Sequence, residues 1–395
     1  MPYQLYLGFG INESIIDILY SIYNSNKLKI LYVADSNTYK FLLNTAINNK
    51  SSIYVYDDLQ LKPTLQNIHI LINAFCSSNF DIIIGIGSGT ISDICKYTSY
   101  LLHINYGIIA TAPSMNGYTS ANASIIGDNG LKSSYKAHIP LFVIVDFNII
   151  IHAPMSLIAA GVADLFARSS IETDQFVSSL ILNTHYHPNI LKDIFKYEEK
   201  LLNNADKIIN RDFNIIKILM IGLLVTGDYM AIMGGSSIAS QGEHQIAHLM
   251  GSIFGYDNLH GHEIAVTILT NMRIQDRIIE NLTNSKILFS FPDDDDFKRK
   301  LISVFNKNIP IKSMLEVFQR KKRQFQSLND IDDIKITLPF IRHNNLHDFF
   351  QKLLLPIAPI DLGWNNKLYN EAVNYAFTVR DRNSCLDIAF FLGIK

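Results

Sequence analysis

The feature that most constrains this chain is a series of short apolar runs in its first 150 residues that do not alternate with polar ones. Residues 28–34, 81–86, 106–110 and 141–145 carry Ile, Val and Leu at neighbouring positions. A strand with one wet face alternates, whereas one apolar at successive positions is covered on both faces, as in a parallel sheet between helices. Helical patterns between the runs give βα repeats and a Rossmann-like sheet. After Pro154 apolar residues recur at helical spacing, as at Ile215, Ile218, Leu219 and Leu223, and no strand pattern is left. Proline suits the first turn of a helix and a domain border. With 395 residues, too many for one core, the chain is expected to hold an α/β domain over 1–153 and an all-helical domain over 154–395, with a cleft between them.

A net charge of −2 gives no overall basic field for nucleic acid or an anionic membrane. Arg320, Lys321, Lys322 and Arg323 read as a solvated helix face, and the aspartates at 293–296 as an acidic helix entry without the alternating ligands of a calcium loop. Cys76, Cys95 and Cys385 are too scattered for a disulfide scaffold or a thiolate zinc site and are expected as buried thiols. The start lacks the pattern of a secretory leader, and stretches such as 139–151 are too short to cross a bilayer, so a cytoplasmic protein without a membrane span is expected.

Three groups of residues carry chemistry. Gly85-Ile86-Gly87-Ser88-Gly89-Thr90 follows a strand pattern and precedes a helical one, where backbone N–H groups and the helix dipole attract phosphate. The same residues also make an ordinary tight turn, and the third glycine of the usual dinucleotide fingerprint is missing, position 90 being Thr. Asp35, with Asn37 and Thr38 behind it, ends the upstream strand, where a carboxylate can bind a ribose 2′-hydroxyl or serve as the N-cap of a following helix. His244 and His248, spaced i and i+4, share a helix face, and His260 and His262 follow within nineteen positions. Asp164 stands alone in a small, apolar helical stretch, and a lone buried carboxylate is costly unless paired or bound to a cation. One carboxylate and two imidazoles suit zinc or iron(II) with an open position.

In order along the chain these groups join Thr111-Ala112-Pro113-Ser114-Met115-Asn116-Gly117-Tyr118-Thr119-Ser120, Ala153-Pro154, the stretch from Ala160 to Asp164, the stretch from Ser240 to His248, His260-Gly261 and Arg380-Asp381-Arg382. The series closely resembles the glycerol-1-phosphate dehydrogenases of archaea and their bacterial relatives, within the wider fold shared with glycerol dehydrogenase, the iron-containing alcohol dehydrogenases and dehydroquinate synthase. The resemblance covers most of the chain and is weakest at 190–210 and 280–370.

It implies a dehydroquinate synthase-like fold and an NAD(P)-dependent oxidoreductase that reduces dihydroxyacetone phosphate to sn-glycerol 1-phosphate, or converts a related carbonyl/alcohol pair. Asp164, His244 and His260 would be the ligands of one divalent metal: zinc, with iron or nickel as alternatives. Gly87, Ser88, Gly89 and Thr90 would cradle the pyrophosphate of NAD or NADP, with Asp93 on the helix behind and Asp35 toward the ribose. Thr111, Ser114 and Ser120 would lie along the cofactor toward its nicotinamide end. Lys132 would meet the substrate phosphate, and His248 the substrate or nicotinamide. The expected partners are a phosphorylated small molecule and further copies of the chain.

Two positions depart from the family. Asn116 stands where an aspartate is usual, and asparagine can hydrogen-bond but cannot act as a base near neutral pH. His262 stands where a glutamate often follows the His-Gly pair. Three alternatives stay open: another polyol, ketone or aldehyde as substrate; a dehydroquinate synthase-like cyclase, against which the missing lysine-rich cyclase motifs argue; and, permitted by Asn116, a non-catalytic cofactor-binding relative.

Overall fold

A computed structural model describes residues 3–25, 27–42, 51–76, 78–255, 257–284, 288–305, 309–328 and 337–394. Among them the strands are β1 (Gln4–Gly8), β2 (Ile30–Asp35), β3 (Ser52–Tyr56), β4 (Ile82–Gly87), β5 (Asn105–Ala110), β6 (Asn122–Ile126), β7 (Lys132–Lys136) and β8 (Phe142–Asp146). Six form a parallel sheet in the order β1-β8-β5-β4-β2-β3, while β6 and β7 pair as an antiparallel hairpin. The four strands read from the sequence are β2, β4, β5 and β8, the four inner strands, and nearly all their residues are buried. Those missed lie at the edges or in the hairpin. Their half-exposed residues (Ser52 to Tyr56 alternates) leave no continuous apolar run.

After Asp146 the described residues contain helices and no strand, in keeping with the α/β and all-helical halves expected. The chain packs as two compact units. The first takes residues up to Asp128, Lys132–Leu165 and Tyr197–Ser236; the second takes Asn129–Leu131, Phe166–Lys196 and everything from Ser237.

In the first unit the segment after β5 is held by two helices through close approaches that only glycine permits. A Cβ on Gly161, in the helix Met155–Phe166, would sit 1.7 Å from the Pro113 carbonyl oxygen. One on Gly227, in the helix Phe213–Ile232, would sit 2.3 Å from Thr119 Oγ1 and 2.5 Å from the Asn116 carbonyl oxygen. That second helix is long and apolar enough to cross a membrane, but 56% of its apolar window is buried within the protein, as in a core helix.

The second unit packs an aromatic core, with Phe297 and Phe318 stacked at 3.8 Å between ring centroids. Here the basic cluster departs from expectation. Lys321, on the helix Ile311–Gln326, is buried rather than solvated: its Nζ lies 2.6 Å from Asp387 Oδ1 and donates to the Phe377 and Arg382 carbonyls. Burial pushes the Lys321 ammonium below its usual range, and Asp387 opposes the shift. A cation survives there because every donor meets an oxygen. Asp294 and Lys322 pair at 2.9 Å, which gives the acidic stretch the role of a helix entry. Cys95 and Cys385 are buried as expected, whereas Cys76 is exposed.

Replacing Gly161 by Ala drives a methyl into backbone and is expected to cost about 3 kcal/mol or more in urea unfolding, the upper end of overpacking. Gly235, where an added methyl would meet nothing within 4 Å and φ lies outside the left-handed region, should tolerate the same change within about 0.5 kcal/mol.

Candidate active site

In the first unit β4 ends at Gly87 and the helix Gly89–Leu102 begins two residues later, with Ser88 making no side-chain cap. The first-turn N–H groups of that helix therefore keep their affinity for an anion. A Cβ on Gly87 would lie 2.6 Å from Ile91 Cβ, so this glycine lets helix and strand pack closely; one on Gly89 would meet Met115 at an ordinary 3.4 Å. The Thr111 N–H donates to the Gly87 carbonyl at 3.1 Å, tying the segment after β5 to the turn that opens the helix. Asp35 ends β2, and its Oδ1 accepts from Asn37 N, Thr38 N and Thr38 Oγ1 at 2.9–3.0 Å. Asp35 thus closes a turn and does not cap a helix as weighed from the sequence, since the next helical segment, Tyr39–Phe41, has Thr38 at its N-cap without a side-chain cap.

Two turns into the same helix lies a group that the sequence pattern did not single out. Lys96 is fully buried, and its Nζ donates to the Gly117 carbonyl at 2.6 Å, Ser120 Oγ at 3.2 Å and the Asn122 carbonyl at 3.3 Å. Burial pushes its ammonium down to about 8, with the Asp93 charge opposing. Asp93 is itself raised by burial, against the charges of Lys96 and Lys132, the first residue of β7. Ser120 Oγ also donates within the same loop, to the Gly117 and Asn122 carbonyls, so its hydroxyl serves the loop. The Tyr118 hydroxyl donates to the Ala112 carbonyl at 2.7 Å.

That held loop carries Asn116. Its backbone N–H donates to Asp164 Oδ2 at 2.7 Å, which joins two of the expected site residues. Asp164 is buried, at 3% exposure, in the helix Met155–Phe166. The side-chain Nδ2 of Asn116 is buried with no hydrogen-bond partner among the described residues. A buried amide donor without a partner is costly, so a ligand oxygen there would relieve it.

In the second unit the helix Gly242–Phe254 begins on a buried carboxylate. Asp174 Oδ2 accepts from Gly242 N at 2.9 Å and Asn271 Nδ2 at 3.0 Å, while Oδ1 accepts from Gln275 Nε2 at 2.9 Å and Cys385 N at 3.0 Å. Next to it, Glu243 accepts from Gln241 N (2.8 Å), Ser170 Oγ (3.0 Å) and His244 Nδ1 (2.8 Å). Burial raises both carboxyls, and the Glu243 charge raises Asp174 further; Arg382, itself pushed down to about 10 by burial, opposes the rise at Glu243.

His244, His248 and His260 gather within this unit. Ring centroids stand 5.1 Å apart for His244 and His260, 6.2 Å for His244 and His248, and 6.3 Å for His248 and His260. His260 Nδ1 lies 3.9 Å from Glu263 Oε2 in the first turn of the helix His260–Asn284, where His262 also sits. Arg380 Nη2 lies 3.0 Å from His248 Nδ1. Neither Glu243 nor Arg380 was given a role by the sequence pattern. The signal for the first was its place directly before His244 in a helix first turn; for the second, whose partner is 132 residues away in the chain, it was its place in the Arg380-Asp381-Arg382 segment, which named no partner.

Residues 11–154 match the family described as iron-containing alcohol dehydrogenase. Among characterised proteins the chain is similar to the glycerol-1-phosphate dehydrogenase [NAD(P)+] of Thermococcus sibiricus, 27% identical over 67% of this chain and 75% of that one. The protein of the same description from Metallosphaera sedula is 28% identical over 67% and 75%. In fold it is similar to the alcohol dehydrogenase of an archaeal halo-thermophile from a Red Sea brine pool, with a TM-score of 0.64 at 15% identity, covering 98% of this chain and 96% of that one.

The Lys96 arrangement has a measurable consequence. Lys96→Met leaves the Gly117 and Asn122 carbonyls to share the Ser120 hydroxyl, and unfolding free energy should fall by about 1–3 kcal/mol. The folded protein releases the Lys96 proton near pH 8, below the ordinary 10.5, so between those values the unfolded chain binds more protons. Lys96 therefore adds a component of stability that rises with pH across this window, and the Met variant should lack that slope in urea titrations.

Proposed function

Because the chain belongs to the iron-containing alcohol dehydrogenase superfamily and is an NAD(P)- and metal-dependent oxidoreductase, we propose that it reduces dihydroxyacetone phosphate to sn-glycerol 1-phosphate, or acts on a closely related carbonyl/alcohol pair. The observation that carries the substrate reading is the likeness to glycerol-1-phosphate dehydrogenases across two thirds of the chain. When bound, NAD(P)H would supply the hydride for the ketone carbon and a divalent metal would polarise its oxygen, with the proton of the new hydroxyl coming from another group or water.

The residues present fit both groups. Asp164 offers a buried carboxylate oxygen, and His244 and His260 offer an imidazole nitrogen each, the mixed donor set that zinc, iron(II) or nickel accepts. Gly87, Ser88, Gly89 and Thr90 would hold the cofactor pyrophosphate at an uncapped helix start, with Asp35 at the ribose and Thr111 and Ser114 toward the nicotinamide. Lys132 is assigned to the substrate phosphate, and His248 and Asn116 to substrate oxygens. The unpartnered Asn116 amide supports a polar ligand at that position. Asparagine would donate to an oxygen there but take no proton from it, so proton delivery depends on another group or on water.

Metal analysis of the purified full chain, with NADH and NADPH turnover measured over a panel of phosphorylated and free ketoses and aldehydes, tests the reading. Asp164→Ala, His244→Ala and His260→Ala should each lose the stoichiometric metal while the sheet unit keeps its circular dichroism. Full occupancy in all three would show that the ligand set is wrong. Asn116→Asp should raise dihydroxyacetone phosphate turnover, by up to about 10²-fold if a base is restored. No gain, with strong wild-type turnover of a different carbonyl compound, would assign Asn116 to a changed substrate.

A further inference from the structure

We infer that Lys321 is a positioning residue: from the core of the helical unit it holds the segment that sets Arg380 against His248. The inference rests on the dehydrogenase reading above, in which His248 meets substrate oxygens, and names a residue that supports that contact from outside it. Val379 to Ser384 lie in neither helix nor strand, so their backbone groups need partners outside a ladder. Lys321, from the helix Ile311–Gln326, bonds the chain just before this stretch and within it. Its Nζ donates to the Phe377 carbonyl at 2.6 Å and the Arg382 carbonyl at 2.8 Å, and stands 2.6 Å from Asp387 Oδ1. Phe377 and Arg382 flank Arg380 in the chain, so one ammonium fixes both ends of the stretch that carries it.

A second hold comes from the helix Gly242–Phe254. Gln245 Nε2 donates to the same Arg382 carbonyl at 3.0 Å, and Gln245 Oε1 accepts from Ser384 Oγ at 3.1 Å. Asp387 Oδ2 accepts from the Ser384 N–H at 2.7 Å, which closes the segment onto the last helix, Cys385–Leu392. Between these holds the two arginine side chains run to the start of the histidine helix. Arg380 Nη1 donates to Ser240 Oγ at 3.2 Å, while Nη2 stands 3.0 Å from His248 Nδ1 and 3.5 Å from Nε2. Arg382 donates to the Ser240 carbonyl. Packing alone does not call for a charge at position 321. A buried ion pair adds little stability over apolar side chains of the same volume, but no apolar side chain can bond two chosen carbonyls. The neighbouring Arg320 pairs with Asp381 at the solvated surface, where such a pair fixes little.

The test separates placement from stability. Lys321→Met keeps the bulk and removes the bonds to both carbonyls. Lys321→Met with Asp387→Asn also leaves no buried charge without its partner, and so regains part of the stability that the single variant loses in urea unfolding. Two readouts follow the site. One is the ring Cε1–H peak of His248 in the ¹³C-histidine-labelled full chain, assigned with His248→Asn. The other is kcat/KM for the carbonyl compound that the wild type turns over best in the substrate panel. Arg380→Gln should move the His248 peak and so define the lost contact. Lys321→Met should move it the same way, lower kcat/KM by up to about 10²-fold, and add little when combined with Arg380→Gln. With Asp387→Asn added to Lys321→Met, stability should recover while peak and rate stay displaced. A wild-type peak and rate in Lys321→Met, or their return together with stability once Asp387→Asn is added, overturn the inference and leave Lys321 a structural residue. Should Lys321→Met fail to fold alone, its combination with Asp387→Asn decides by the same two readouts. If the wild type turns over no carbonyl compound, the dehydrogenase reading fails, and the His248 peak alone decides the positioning.

Discussion

The helical unit depends on one buried carboxylate. Asp174 accepts four hydrogen bonds, two from backbone N–H groups and two from side-chain amides, so all its lone-pair positions are used by groups that can only donate toward it. Its donors come from three helices, Gly242–Phe254, His260–Asn284 and Cys385–Leu392, while it stands on a fourth, Arg168–Leu182. Burying a charge is expensive, and removing any one donor would leave that cost uncompensated. The arrangement therefore specifies where the Gly242 helix starts, and with it the orientation of Glu243 and His244. Gly242 has no alternative there, since a Cβ would fall 2.8 Å from Asn271 and 2.9 Å from Asp174 Oδ2.

The sheet unit solves the same problem by another route. The segment after β5 has little regular structure between Thr111 and Ala121, so its backbone groups must find partners outside a ladder. Lys96 answers the Gly117 and Asn122 carbonyls, Thr119 Oγ1 donates to the Leu224 carbonyl at 3.0 Å, and the Asn116 N–H goes to Asp164. Glycines 161 and 227 bring helix backbones close enough for this to hold. A loop held at so many points can present Asn116 in a defined place at little entropic cost on binding.

Asp164 links this rigidity to chemistry. The carboxylate proposed to bind metal also receives the backbone of the residue proposed to meet substrate, so a change in one is felt by the other. That coupling gives the Asn116 departure a structural context: the backbone contact at position 116 is independent of the side chain, which is free to differ in what it donates or accepts.

Much of this was legible in the sequence. The inner strands followed from unalternating apolar runs, because a strand covered on both faces has no polar positions to interrupt it. The helical second half followed from its 3.6-residue spacing, and the glycine turn between β4 and the next helix and the grouping of the histidines from residue types and their positions. What the tertiary structure alone decided are the partners: Lys96 beneath the loop, Asp174 beneath a helix start, Lys321 inside the core instead of on a wet face, and Glu243 and Arg380 on the two histidines. A sequence records that a charged side chain exists, but its partners lie as far as 211 residues away, as Cys385 does from Asp174. Whether a charge is solvated, buried or bound is settled only when the fold brings donors and acceptors within hydrogen-bonding distance.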